Sequence, residues 1–395
     1  MQFPERFSDL PEYAFPRLRS LLDPYAAGGD VLHLSLGEPK NPFPDWVSAI
    51  IARESAGFGR YPANDGSPDL LEAISGWLAR RYGVQVDPGS RIMALNGTRE
   101  GLFSAAVALF PERKAGQRPA VLIPNPFYPV YAVGTVTAGA EPVFVDAGPD
   151  TGFLPDFAAV PADVLARTVA VYVCSPSNPQ GAVASAGYWA SLLALAERHD
   201  FRILADECYA EIYRGDPPVG VLQAASAAGA DPERVVAFHS LSKRSNLPGL
   251  RSGFVAGGPQ TIAAIKRLRA YAGAPLPGPL QAAAAAVWRD EAHVTENRAS
   301  YARRFAMADQ IIGGVEGWSS PPGGFFLWLP VDDGETACVK LWRETGVRVL
   351  PGAYLARDTG GTNPGKRNIR VALVAPDDDV RRGLTALVAC LKDAR

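Results

Sequence analysis

Four short apolar runs, residues 120–123, 169–173, 203–205 and 235–238, alternate with stretches of helical period through the middle of the chain. Strand-like runs separated by amphipathic helices are the pattern of a parallel sheet with crossover helices. Each run ends in residues that carry chemistry. The first leads into Pro126-Phe127-Tyr128-Pro129-Val130-Tyr131, and the second into Ser175-Pro176-Ser177-Asn178-Pro179-Gln180-Gly181. The third leads into Asp206-Glu207-Cys208-Tyr209, and the fourth into Ser240 and Lys243. Ligands of open parallel sheets bind beyond the carboxyl ends of the strands, so these four ends predict one crevice. A carboxylate after one buried run is an ordinary loop residue, and one Asn-Pro-x-Gly is an ordinary turn. Lys, Asp, Asn and Tyr at four such ends together point to a site.

Residues 241–253, Leu-Ser-Lys-Arg-Ser-Asn-Leu-Pro-Gly-Leu-Arg-Ser-Gly, set one lysine among small hydroxyl and glycine residues, with Arg251 eight positions on. A free lysine amine has a pKa of about 10.4, so a nucleophilic lysine must be desolvated or condensed with a carbonyl. A covalent imine with pyridoxal phosphate does the latter. Arg251, Ser240 and Ser242 could hold the phosphate through a bidentate guanidinium and neutral hydroxyl donors. The alternative is a surface Lys and Arg on a polar loop.

The rest of the chain supplies further candidates. Pro4, Pro11, Pro16 and Pro24 interrupt any helix longer than a turn or two, which predicts an irregular arm over residues 1 to about 30, of the sort that lies on a partner subunit. Residues 31–36 alternate like a strand and run into Gly37, where the backbone permits close approach. Helices are expected over 46–53 and 70–82, with Tyr61 exposed on the turn-rich stretch between them. Gly97-Thr98-Arg99 follows the apolar run 92–95 and opens a helix through Leu109, whose free amides could bind an anion. Helices at 260–271 and 281–308 flank a proline break, with a hinge near Pro275. From about residue 311, short strands such as 323–329 and a last helix over 377–391 predict a small α/β domain. Arg370 interrupts the strand-like run 368–373, so it requires a carboxylate partner from the protein or from a substrate. The expected division is an arm with part of the small domain over 1–45, a large domain over 46–275, and an interdomain helix with the small domain over 276–395.

Composition narrows the partners. A chain of 395 residues with 39 basic and 41 acidic side chains has no global electrostatic reason to bind nucleic acid or an anionic membrane. Cys174, Cys208, Cys338 and Cys390 are far apart, and the four histidines are scattered, so neither a metal site nor a disulfide framework is expected. No leader and no membrane span is legible, which suggests a soluble, reducing, cytoplasmic setting.

In order along the chain, Asn-Pro-x-Gly at 178–181, Asp-x-x-Tyr at 206–209, Ser-x-Ser-Lys at 240–243 with Arg251, and the final Arg370 resemble the class I/II aminotransferases of the fold-type I pyridoxal phosphate enzymes. The resemblance covers nearly the whole chain. It implies an α/β fold with a large domain around a mostly parallel central sheet and a small C-terminal α/β domain, assembled as a homodimer with shared active sites. By resemblance, Lys243 would hold the cofactor covalently, Asp206 would pair with the pyridine nitrogen, and Asn178 and Tyr209 would hydrogen-bond the ring hydroxyl. Tyr128 would stack on the ring. Gly97, Thr98, Arg99, Ser240, Ser242 and Arg251 would hold the phosphate, with Tyr61 arriving from the other subunit. Arg370, with the backbone near Gly37 and with Asn178, would bind the substrate α-carboxylate.

Within that family, Asn96-Gly97-Thr98-Arg99-Glu100, Asn125-Pro126-Phe127-Tyr128 and Ser242-Lys243-Arg244-Ser245-Asn246 are similar to the succinyldiaminopimelate aminotransferases of lysine synthesis. The implied reaction exchanges the amino group of N-succinyl-LL-2,6-diaminopimelate with 2-oxoglutarate. Arg99 is the candidate for the additional carboxylate, the alternative being that it packs or pairs with a neighbouring acid. Aspartate, alanine or aromatic aminotransferase and carbon-sulfur lyase activities share the cofactor motifs. A cofactor-sensing transcription regulator disagrees with the absence of a basic helix-turn-helix segment.

Overall fold

The four apolar runs form adjacent strands because no residue in them offers a polar side chain to solvent, so both faces of the sheet must be covered. A computed structural model describes residues 3–392; the first two residues of the expected 1–45 segment and the last three of 276–395 lie outside the described residues. Seven strands, β2 (Ile92–Leu95), β3 (Ala120–Asn125), β4 (Glu141–Asp146), β5 (Thr168–Cys174), β6 (Arg202–Asp206), β7 (Val235–Ser240) and β8 (Gly253–Gly257), follow β1 (Leu32–His33) and make one sheet of order β2-β8-β7-β6-β5-β3-β4. The pairs from β4 through β7 are parallel, and β8 runs antiparallel to both β2 and β7.

Alternate residues of each strand enter opposite cores, as a period of two requires. Leu122, Val171, Ile203 and Val235 face a cluster holding Trp77, Trp189 and Trp288 on helices Pro68–Tyr82, Ala186–His199 and Gly278–Arg289. Val121, Tyr172, Leu204 and Val236 face Leu102, Tyr131 and Ile262 on helices Thr98–Leu109, Pro129–Thr137 and Pro259–Arg269. Burying each such Val, Leu or Ile contributes roughly 1.5–3 kcal/mol, which makes the sheet the rigid platform of the molecule.

The chain leaves β3 on one side to form β4 and returns on the other side to form β5. Such a reversal opens a crevice at the carboxyl ends of the strands, between Tyr128 after β3 and Asn178 after β5. Beyond helix Ala292–Ile312, β9 (Phe326–Pro330), β11 (Leu350–Pro351) and β12 (Asn368–Ala372) form a three-stranded antiparallel sheet of order β11-β12-β9. Its Ile369 and Val371 pack on Leu327, Leu329, Val380 and Leu384, so the intervening Arg370 faces away from that core and toward the crevice. β1 pairs in parallel with β10 (Val347–Arg348) as a separate two-stranded sheet, and the Ala372 amide at the end of β12 donates to the Leu34 carbonyl, which ties the N-terminal segment to the second sheet.

Two expectations change. The strand expected over 31–36 is only Leu32–His33, because the chain must turn inward at Gly37. The arm is not wholly irregular: Ala14–Leu22 is helical, with Pro16 inside its first turn, where the missing N–H has no intrahelical partner to lose. Its Ala14, Leu18 and Leu22 pack on Leu350 and Leu355 of the same chain, so this part of the arm lies on its own small sheet. No helix of the described residues is long and apolar enough to cross a membrane.

Candidate active site

A cavity of about 330 Å³ opens where β3, β5, β6 and β7 end, within the size range of small-molecule sites. Lys243 sits on the one-turn helix Leu241–Arg244 that follows β7 directly. Its Nζ donates to the carbonyl oxygen of Gly37 at 2.6 Å. Burial pulls its pKa down to about 8, which makes the amine far more available as a nucleophile than an exposed lysine. Gly37 is a close approach: a Cβ there would lie 2.5 Å from the Phe326 ring.

Asp206 ends β6 with its carboxylate buried. The Tyr131 hydroxyl donates to Oδ2 at 2.8 Å, and the Cys208 amide donates to Oδ1 at 3.3 Å. Burial raises its pKa, while these donors pull the other way. No described cationic side chain forms an ion pair with it, so a buried carboxylate faces the cavity without a counter-charge. That is an expensive arrangement unless a ligand brings the cation.

The opposite charge is left open at two other places. Arg370 is fully enclosed, with Nη1 donating to Asn178 Oδ1 at 2.9 Å and Nη2 donating to the Ser35 carbonyl at 2.8 Å. Its Nε has no partner, the Phe326 ring lies 4.2 Å from the guanidinium carbon, and burial lowers its pKa to about 10. No described carboxylate pairs with it, so the protein partner that the sequence allowed is not found among the described residues, and the guanidinium is open to an anionic ligand. The second place open to an anion is the start of helix Thr98–Leu109, whose N-cap Gly97 offers no capping side chain. Its first-turn amides, Ser240, Ser242 and Arg251 converge there. Ser240 Oγ donates to Ser242 Oγ at 2.9 Å, and Arg251 Nη2 donates to the Asn96 carbonyl at 3.1 Å. Gly97 has a φ of +80°, and a Cβ would lie 2.3 Å from Arg251 Nη2, so only glycine fits.

Tyr128 lines the cavity, and its hydroxyl accepts a hydrogen bond from Arg99 Nε at 2.7 Å. Arg99 also lies against Tyr13 and has no carboxylate partner among the described residues. Tyr209 is buried edge-on to Phe325, and burial holds its hydroxyl well above the usual phenol pKa, so it stays a donor. Tyr61 is apart from all of these: it is fully exposed and lines no part of this cavity.

Sequence reasoning missed several lining residues. Tyr131 was given no role, although Tyr128-x-x-Tyr131 at the start of a helix puts both rings on one face, and Tyr131 stacks on Tyr172 with centroids 4.5 Å apart. Tyr13, Phe15 and Leu355 close the mouth from elements whose approach depends on tertiary packing, which no local pattern reports. Arg370 takes the Ser35 carbonyl, whereas the Gly37 carbonyl serves Lys243.

These features fit pyridoxal phosphate. A helix N-terminus with hydroxyls and an arginine suits a phosphate, a carboxylate lacking a counter-ion suits a protonated pyridine, and a desolvated lysine suits the aldehyde. Comparison with known proteins agrees. The family model described as aminotransferase class I and II matches residues 29–387. An LL-diaminopimelate aminotransferase of Dehalococcoides mccartyi is 31% identical over 399 residues, covering 98% of each chain. An aminotransferase structure from Neisseria meningitidis superposes with a TM-score of 0.94 at 36% identity over the full length of both chains. The aminotransferase AspB of Helicobacter pylori superposes with a TM-score of 0.89 at 31% identity, covering 98% of this chain and 99% of the other.

Proposed function

The chain belongs to the class I and II aminotransferases and uses pyridoxal phosphate, and from that premise we propose that it moves the amino group of a diaminopimelate-type donor to 2-oxoglutarate. The observation that carries this reading is the pair of carboxylate-free arginines in one cavity, Arg370 beside Lys243 and Arg99 at the mouth. A ping-pong transaminase must seat both the donor and the keto acid in one place. A donor with an α-carboxylate and a remote anionic end shares that charge pattern with 2-oxoglutarate, so one pair of arginines serves both.

In this scheme Thr98, Ser240, Ser242 and Arg251 would hold the phosphate, and Tyr128 would pack against the ring. When bound, the cofactor supplies an electron sink that acidifies the substrate α-C–H bond. Asp206 would hold the proton on the pyridine nitrogen, and Tyr131, which donates to Oδ2, would fix that carboxylate. Asn178, whose Oδ1 is committed to Arg370, would offer its Nδ2 group to the ring oxygen, as would the Tyr209 hydroxyl, both residues lining the cavity. Once the donor amine has taken its place, the freed Lys243 Nζ would accept the α-proton and hold it for return, so one amine would serve in turn as anchor and general base. Arg370 aligns the α-carboxylate so that the C–H bond faces that amine.

The donor itself is N-succinyl-LL-2,6-diaminopimelate by the subfamily motifs and LL-diaminopimelate by the Dehalococcoides relative; both carry the remote carboxylate that Arg99 would read. Four free cysteines suit a reducing, cytoplasmic setting. The test is a single-turnover spectrum of the loaded enzyme with the two diaminopimelates, glutamate, aspartate, alanine and an aromatic amino acid. Fastest loss of the cofactor's aldehyde-form absorbance with a diaminopimelate and with glutamate supports the reading. A decisive win for alanine or an aromatic donor, or release of pyruvate with ammonia, overturns it. Arg99→Ala should then lower kcat/KM on the long donors at least tenfold more than on alanine, the loss of one charged hydrogen bond; an unchanged ratio removes Arg99 from the specificity site.

A further inference from the structure

Helix Leu241–Arg244 is a single turn, too short to fix its own position, and its last carbonyls have no partner within it. Both are met from outside by one side chain. Asn297, on helix Ala292–Ile312, donates through Nδ2 to the carbonyl oxygens of Lys243 and Arg244, each at 3.2 Å. Its Oδ1 accepts from Asn41 Nδ2 at 2.9 Å and from Asn246 Nδ2 at 3.1 Å. Asn297 and Asn246 are buried, and Asn246 also donates to the Pro42 carbonyl at 3.2 Å.

The same network continues into the second sheet. Asn41 Oδ1 accepts from Arg304 Nη2 at 2.7 Å. Arg304 lies two turns beyond Asn297 on the same helix, and it also holds Asp377 Oδ1 at 2.7 Å and the Leu373 carbonyl at 3.3 Å. Leu373 follows β12, the strand that carries Arg370. Residues 37–42 therefore reach the lysine twice, directly at its amine through Gly37 and indirectly at its main chain, where Asn41 holds the Asn297 amide that bonds it.

We propose that Asn297 is a positioning residue for Lys243 and that, through Asn41 and Arg304, it sets the lysine against the strand that carries Arg370. Proton transfer requires the amine and the α-carbon in register, and the α-carbon is placed by Arg370. A relative shift of about 1 Å costs on the order of a hundredfold in rate. An amide fully committed to two carbonyls and two amides removes that freedom.

The test uses Asn297→Ala and Asn41→Ala in the full chain, with three readouts: melting temperature, uptake of pyridoxal phosphate by the apoprotein, and the primary isotope effect with an α-deuterated donor. In Asn297→Ala, uptake should slow, single-turnover proton transfer should fall on the order of tenfold or more, and the isotope effect should rise. Asn41→Ala, which touches neither the lysine nor its helix, should raise the isotope effect in the same direction. Wild-type uptake and isotope effect in both variants, with loss confined to melting temperature, overturn the proposal. An effect in Asn297→Ala alone keeps the positioning role and overturns the link through Asn41. If Asn297→Ala fails to fold, the isotope effect of Asn41→Ala decides alone.

Discussion

Asp206 and Lys243 carry opposite pKa displacements for the same reason, burial in one cavity, and each displacement has a consequence that can be measured. Lys243 falls from 10.5 to about 8, so its neutral, nucleophilic form populates as pH rises through about 8. Uptake of pyridoxal phosphate by the apoprotein should accelerate over that interval and level off above it; an increase continuing to about 10.5 would mean the amine is not desolvated. For Asp206 the ionised form is the useful one, and the Tyr131 hydrogen bond opposes the upward push of burial. Tyr131→Phe removes that donor, so the carboxyl pKa rises further. The acid limb of the pH–kcat profile should move to higher pH, and kcat should fall about tenfold or more, since a hydrogen bond to a charged group is worth about 1.5–3 kcal/mol. An unmoved acid limb would show that Asp206 is held by its other contacts.

At the scale of elements, the loop between β2 and helix Thr98–Leu109 shows how one backbone angle decides a binding site. Gly97→Ala meets both a φ of +80° and the Arg251 guanidinium, so the loop must open and the phosphate amides with it. Equilibrium titration with pyridoxal phosphate should show a dissociation constant raised tenfold or more, with little change in the far-UV circular dichroism. This loop, the four strand ends and the last helix Asp377–Leu391 were legible in the sequence because short-range pattern and chemistry agree there. Other elements were not. β4, at the sheet edge, has only residues 143–145 as an apolar run, between Glu141-Pro142 and Asp146, with no chemistry-bearing motif after it, and β8 is bounded by Gly253 and Gly257, which read as loop residues. Both are strands because a neighbour pairs with them, a long-range cause that local propensity does not carry. The same limit hid Tyr13 and Phe15: the helix Ala14–Leu22 is short, and its place over the cavity follows from packing on Leu350 and Leu355.

At the scale of the whole molecule, one expected site residue lies outside the cavity of its own chain. Tyr61 is fully exposed, and Phe58, Tyr271 and Trp46 are also exposed aromatic side chains. Exposed aromatic side chains are what a second copy of the chain would bury, and the expectation from the family resemblance is that Tyr61 serves the partner's phosphate site. A homodimer with shared sites would make a prediction that a monomer cannot satisfy. Lys243→Ala and Tyr61→Ala chains are each expected to be impaired as homodimers. When they are co-expressed, each mixed dimer contains one site with both Lys243 and a Tyr61 from the other chain, so activity should exceed the sum of the two separate proteins. If Tyr61 served the site of its own chain, no mixed dimer would contain an intact site, and mixing would add nothing. Sedimentation of the mixture reports separately whether dimers form, so a failure of assembly is distinguished from a tyrosine that acts within its own chain.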